Sequence, residues 1–302
     1  MVKKKFIKIK KEDYHFLKKP AIRLFGKTAD KYSDYFKSLK ISLITADTKI
    51  LFRTYMSIIF FLTAFIFILT FFITLAFSIY FKLNIITTII GLLIVPSFFS
   101  SLTFLIYYSY PTSLTEKRKT DIETNLPFAL NHMAAVAESG VPPRVMFKVL
   151  SQFKDYGEIS REAGKIARYI ESFGLDEITA IRDVASKTPS PSFKDFLHGV
   201  LTTIQTGGSL KSYLSEESEK VTFDYRIKRN KYTQQLSIYA DFYTALLIAA
   251  PFIFIVILPI LGILGGTLFG MTAEELIKYG IYSLAVLNIV FLAFIHYTQP
   301  KM

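Results

Sequence analysis

The chain has 302 residues, 51% of them hydrophobic and 16% aromatic, with a formal net charge of +12 and no cysteine. The missing cysteines exclude disulfides and thiolate metal sites, and uncharged blocks far longer than the apolar stripe of a soluble helix exclude an ordinary soluble domain. The positive charge is not accompanied by any nucleic-acid recognition module, which sets nucleic acid aside as a partner.

In chain order, residues 1–52 form a basic N-terminal region, and residues 1–53 carry 15 Lys/Arg against 5 Asp/Glu. Within it, TADKYSDYFKSLKISLI (28–44) predicts an amphipathic helix, with Tyr32, Tyr35, Phe36, Leu39 and Leu43 near helical spacing. Such a helix is expected to lie along the inner membrane surface, its lysines attracted to anionic headgroups. TADT (Thr45–Thr48) offers cap chemistry before the first apolar block. The polar length ahead of that block reads as an uncleaved anchor without a signal peptide.

No charged residue occurs from Thr54 to Phe81, from Leu83 to Thr115, from Phe242 to Ala273 or from Tyr279 to Pro300. A helix crosses a bilayer with about 20 apolar residues, so four spans are predicted. Two, at 57–81 and 85–110, form a hairpin over 53–110, and two, at 242–266 and 281–298, form a hairpin within 242–302. The segments between paired spans are short and carry only Lys82 in one and Glu274, Glu275 and Lys278 in the other, whereas basic residues crowd the other flanks. By the positive-inside rule, both termini and residues 111–241 lie in the cytoplasm of a multi-pass cell-membrane protein.

The 111–241 segment reads as six helices. The first, to Ser139, carries Ile122, Leu126, Leu130, Met133 and Ala137 as one stripe. Gly140 is the expected left-handed stop, and Pro142 sits where a first-turn proline is tolerated. EISREAGKIARYIESF follows, stopped by Gly174, and Asp176 caps EITAIRDVAS. TPSPS breaks the chain before a helix with Phe193, Phe196, Leu197, Val200, Leu201 and Ile204 on one face. Gly207 and Gly208 stop that helix, and a mixed-charge sixth points into the third span. The fold class is all-α: four transmembrane helices with a cytoplasmic six-helix bundle between spans two and three.

Chemistry is conspicuous by omission. His15, His132, His198 and His296 are scattered, no phosphate loop precedes a helix, and no acid–base or nucleophile constellation forms. No enzyme, metal or cofactor is therefore expected. Glu216 and Lys220 stand four apart on a solvated face. The basic clusters Lys117, Arg118, Lys119 and Arg226, Lys228, Arg229 flank the spans that bracket the bundle and are candidate docking points for a cytoplasmic partner, beyond their topogenic charge. Pro251 and Pro259 suggest a kinked third span, and Gly262 with Gly266 fits close helix packing. Spans without internal ionisable groups argue against an ion path.

The order of Ser139-Gly140 with Pro142, Gly174, TPSPSF and Thr206-Gly207-Gly208-Ser209-Leu210, followed by a charged helix running into a span, resembles the type II secretion F-domain family. The likeness covers about residues 118–266 and is nearest the archaeal branch, with its archaellum and pilus platform proteins, and the related tight-adherence proteins. The resemblance implies a non-enzymatic platform that couples a cytoplasmic hexameric ATPase to insertion of pilin or archaellin subunits into a filament. Many members carry two such bundles. One bundle here implies pairing with a second F-domain protein or with itself. Bacterial relatives often carry an acid where this chain has Gln205-Thr206, so acid-dependent metal sites of that branch do not transfer. A small transporter or channel subunit with a regulatory cytoplasmic domain is the alternative.

Overall fold

A computed structural model describes residues 14–48, 50–82, 84–263 and 272–298. Every regular element among the described residues is helical, and the chain divides into two compact units after Tyr213. Four helices are long and apolar enough to cross a membrane, at Phe52–Tyr80, Ile85–Ala137, Leu210–Ile257 and Glu275–Ile295. The protein is an all-α polytopic membrane protein.

The first unit opens with α1 (Tyr14–Lys31) and α2 (Lys37–Thr45). The single helix expected over 28–44 is thus two, joined by a turn at residues 32–36 in which Ser33 N–H donates to Asp30 and Phe36 N–H to Ser33. Two different packing partners force the corner. α1 lies against α3 (Phe52–Tyr80), whereas α2 lies mainly against α4 (Ile85–Ala137) and touches α3 only at its base. Leu39 and Leu43 are buried with Ala29, Tyr55, Met56 and Ile59, and Phe36 meets the rings of Phe104 and Tyr108. Tyr35, assigned by spacing to the apolar stripe, is 81% exposed.

Thr45–Thr48 does not cap the first span. Thr48 N–H and Oγ1 both donate back to Leu43 O, at 3.2 and 2.9 Å, with Asp47 at φ +53°, so the segment closes α2. The span α3 begins after Leu51, which supplies no side-chain cap.

The second span and the first bundle helix, expected as separate elements, are one helix. α4 runs 53 residues, about 80 Å at 1.5 Å per residue, through Pro96, Pro111 and Pro127. Nothing between Pro111 and Asp121 breaks a helix, and Thr115 Oγ1 lies 3.0 Å from Pro111 O one turn back.

The bundle proper packs the end of α4 with α5 (Pro143–Gln152), α6 (Glu158–Phe173), α7 (Glu177–Lys187) and α8 (Pro191–Gln205). A 3₁₀ turn at Lys154–Tyr156 links α5 to α6. Ile122, Leu126, Leu130, Met133, Phe147, Leu150, Ile159, Ile166, Ile181, Phe193, Phe196 and Leu197 are fully buried here, each contributing roughly 1.5–3 kcal/mol of transfer free energy. Gly140 at φ +68° ends α4, and Gly174 at φ +66° ends α6. Asp176 accepts from Thr179 N–H at 2.9 Å and caps α7. Hydrogen bonds from the Thr179 side chain and then its backbone hold the Asp176 carboxyl below the usual carboxylate range. Pro142 occupies the cap position of α5, and Pro143 takes the first helical turn. Gly207 at φ +70° lets Gly208 N–H donate to Thr203 O at 2.9 Å. The first turn of α9 (Leu210–Tyr243) then closes on α8, where Tyr213 donates to Phe196 O at 3.1 Å and stacks on its ring. A Cβ on Gly199 would come within 2.0 Å of the Tyr213 oxygen, so only glycine admits this contact.

The second unit contains the remainder of α9, α10 (Ala250–Ile263) and α11 (Ala273–Thr298). A π-helical turn at Thr244–Ala249 joins α9 to α10 and ends one residue before Pro251, which cannot donate to the residue four back. Tyr239 and Tyr243 meet Phe294 and Phe291 of α11. Pro259 and Gly262 lie within α10, and Gly266 lies outside the described residues.

Candidate functional site

Where α4 leaves its apolar stretch, one charged side chain is drawn inward. Arg118 is 5% exposed. Its Nε donates to Glu158 Oε2 at 2.8 Å, and its terminal nitrogens donate to Glu162 and to the carbonyl of Thr45. Around it, Lys165 bridges Glu162 at 3.1 Å and Asp47 at 2.9 Å, while Arg161 joins Glu158 to Asp47. Three cations and three carboxylates form a neutral net among the end of α2, α4 and the first turns of α6. Ser42 and Thr115 reinforce the same seam, Thr115 Oγ1 donating to Ser42 O at 3.1 Å. In low dielectric, removing one member of such a net strands its partners as uncompensated charge.

Asp121, one turn beyond Arg118, fastens α6 a second time. Its Oδ2 accepts from Glu158 N–H at 2.6 Å, capping a helix from outside that helix. The carboxylate occupies the space a side chain would take at position 157. A Cβ on Gly157 would stand 2.3 Å from Asp121 Oδ2, and its φ of +55° also calls for glycine. Nearby, His132 Nδ1 lies 3.2 Å from the Tyr156 hydroxyl and its ring packs edge-on against Phe153, a structural role. No group of residues suited to a metal ion occurs among the described residues.

The two basic clusters have unlike fates. Arg118 is consumed by the junction, which corrects its assignment as a docking residue: a buried guanidinium bonded to two carboxylates offers nothing to a partner. Lys117 is exposed, and Lys119 stands half-buried 4.0 Å from Glu116. Arg226, Lys228 and Arg229 are all exposed on α9. Lys220 pairs with Glu217, three back at 3.1 Å, instead of Glu216. Sequence reasoning missed Asp47, Glu158, Arg161, Glu162 and Lys165, whose partners are 40 to 118 positions away apart from the local contacts within α6. One local signal existed. Glu158 and Glu162 put like charges four apart on one helix face, which is unfavourable unless a cation sits between them.

Residues 129–258 match the model of the type II secretion system protein F family. This part of the chain is a type II secretion F domain. The F domain holds the end of α4, the helices α5 to α9, the π turn and most of α10. It is 27% identical over 142 residues to an uncharacterized protein of Methanocaldococcus jannaschii, covering 47% of this chain and 24% of that one. It is 24% identical over 144 residues to Flagella accessory protein J of the same organism, covering 47% and 26%. With Flagella accessory protein J of Methanococcus voltae the identity is 25% over 117 residues, covering 38% and 21%. The matched stretch is about a quarter of the length of these relatives, and they place the F domain in the archaeal branch of the family. No solved structure matches the chain.

Proposed function

We propose that this chain is a non-enzymatic membrane platform for assembly of an archaellum-like or type IV pilus-like filament. One observation carries the reading: an F domain whose first helix is the unbroken continuation of a span, pinned at the exit point by a buried ion-pair net. Helix α9 leads out of the same domain and continues through a π turn into α10. Helix α4 is a continuous rod entering a predicted bilayer, so displacement of the bundle by a motor would reach the second span without passing through a flexible linker.

In this reading residues 111–241 are cytoplasmic and receive a hexameric secretion-type ATPase through Arg226, Lys228 and Arg229. The spans guide pilin or archaellin subunits from the membrane into the filament. A second F-domain protein, or a second copy of this chain, completes the platform. Tagged full-length chain, crosslinked in its native host and purified in mild detergent, should bring down a secretion-type ATPase, a pilin-type subunit or another F-domain protein. A preparation free of all three contradicts the platform reading.

A further inference from the structure

The first span is longer than a bilayer requires, and the surplus locates the membrane boundary. α3 has 29 residues, about 43 Å at 1.5 Å per residue, against a hydrocarbon core of about 30 Å. About 20 residues counted back from Tyr80 end at Phe61, and about 20 counted forward from Ile85 in α4 end at Phe104. The two endpoints share one level: across the hairpin Ser100 Oγ stands 3.4 Å from Thr63 O, and the Tyr55 hydroxyl donates to Tyr107 O at 2.8 Å. What remains of α3, from Phe52 to Phe60, holds the buried residues Tyr55, Met56, Ser57, Ile58 and Ile59, packed with Ala29 of α1 and Leu39 and Leu43 of α2.

From this level α1 and α2 run in opposite directions. α2 keeps an offset of 70 residues to α4, with Ser42 Oγ 3.4 Å from Thr112 Oγ1 and Thr45 Oγ1 3.2 Å from Thr115 Oγ1, so it climbs away from the bilayer. α1 runs back along α3 toward it: Asp30 pairs with Arg53 at 3.3 Å, and the rings of Phe25 and Phe60 have centroids 6.4 Å apart. Ala21 and Ala29 are fully buried on the inner side of α1. Its outer side carries Lys19, Arg23 and Lys27, all exposed and four residues apart, and none forms an ion pair with a described residue. Lys31 continues the row and lies over the Tyr32 ring. Like charges four apart on a helix repel, so the row favours a surface of fixed negative charge. Arg23 and Lys27 stand two residues either side of Phe25, within about 3 Å of its level along the axis. That is the level of Phe60, where the headgroups begin. Leu24, beside them, is 66% exposed, apolar surface that suits an acyl boundary.

We infer that α1 is seated on the anionic lipid headgroups of the leaflet facing the bundle, with Arg23 and Lys27 among the phosphates, Lys19 reaching them along its alkyl stem and Leu24 at the acyl boundary. This goes beyond the platform role and does not depend on it. The full chain in mild detergent is titrated with short-chain phosphatidylglycerol and short-chain phosphatidylcholine, and the bound forms are read by native mass spectrometry. Phosphatidylglycerol should bind in preference to phosphatidylcholine. Arg23→Ala and Lys27→Ala should each weaken it about fivefold, the effect of one cation near an anionic surface. Lys27→Arg should keep binding, and Lys211→Ala, at an exposed lysine of α9 outside the row, should not alter it. Equal binding of the two lipids, no effect of Arg23→Ala and Lys27→Ala, or an equal loss in Lys211→Ala overturns the seat. The chain has no cysteine, so Leu24→Cys gives a single labelling point for a second reading. In vesicles of phosphatidylglycerol with brominated acyl chains, a fluorophore there should be quenched by the lipid. Quenching by aqueous iodide alone would place α1 in water and overturn the proposal.

Discussion

Two lysine- and arginine-rich clusters, equivalent by charge and by closeness to a span, are used in opposite ways. Around residues 117–119 the fold takes in the middle residue and surrounds it with carboxylates from a helix 40 positions away. Around residues 226–229 all three cations face outward from a single long helix. Charge near a membrane exit therefore carries no fixed meaning. What decides its use is whether a second element reaches over it: α6 does so at Arg118, and the three α9 cations remain exposed.

The contrast breaks most sharply at Arg118. Arg118→Met leaves Glu158 and Glu162 facing one another and should destabilise the protein by about 3–5 kcal/mol, seen as a large fall in apparent Tm in detergent. Adding Glu162→Leu to that variant should recover part of the loss, since an apolar pair tolerates burial better than a lone charge. Arg118→Met at wild-type Tm would show that the net is not structural.

Gly157 and Gly140 sharpen the picture at lower cost. Both adopt positive φ, but only Gly157 has a carboxylate where its Cβ would stand. Gly140→Ala should cost about 1 kcal/mol from backbone strain alone, and Gly157→Ala distinctly more, because Asp121 must also release α6. Equal losses would mean that the Asp121 cap contributes nothing.

Asp176 provides a pH signature inside the bundle. Its folded pKa lies below its ordinary value, so its stabilising effect is present at neutral pH and fades as the pH falls below about 4. Asp176→Asn keeps a capping side chain but cannot titrate, and should flatten that part of the stability–pH curve. Smallest of all, Arg226→Glu should shift stability by less than about 0.5 kcal/mol, as exposed substitutions do, while weakening any acidic partner. A drop comparable to Arg118→Met would show that the α9 cluster is also part of the fold.

Much of the bundle was legible from the chain because its signals are local. Apolar stripes at helical spacing mark α4, α6 and α8, left-handed glycines mark their ends, and Asp176 announces α7. The junction was not, because Arg118 and its carboxylates are joined only by tertiary packing, and a lysine–arginine run looks alike whether buried or solvated. The corner between α1 and α2 was hidden for the same reason: Tyr32 to Leu43 keep helical spacing, yet Ala29 and Leu39 reach one buried cluster from two separate helices. The continuity of α4 was missed because the apolar run ends at Tyr110 and the bundle stripe opens only at Ile122, and nothing local in the polar residues between them records that the helix runs on.

The most direct test of the account places a photo-crosslinking group at position 228 and, separately, at position 118, in the full chain within its native host. The account predicts a crosslink from position 228 to a secretion-type ATPase and only internal crosslinks from position 118. An ATPase crosslink from 118 and none from 228 would contradict it.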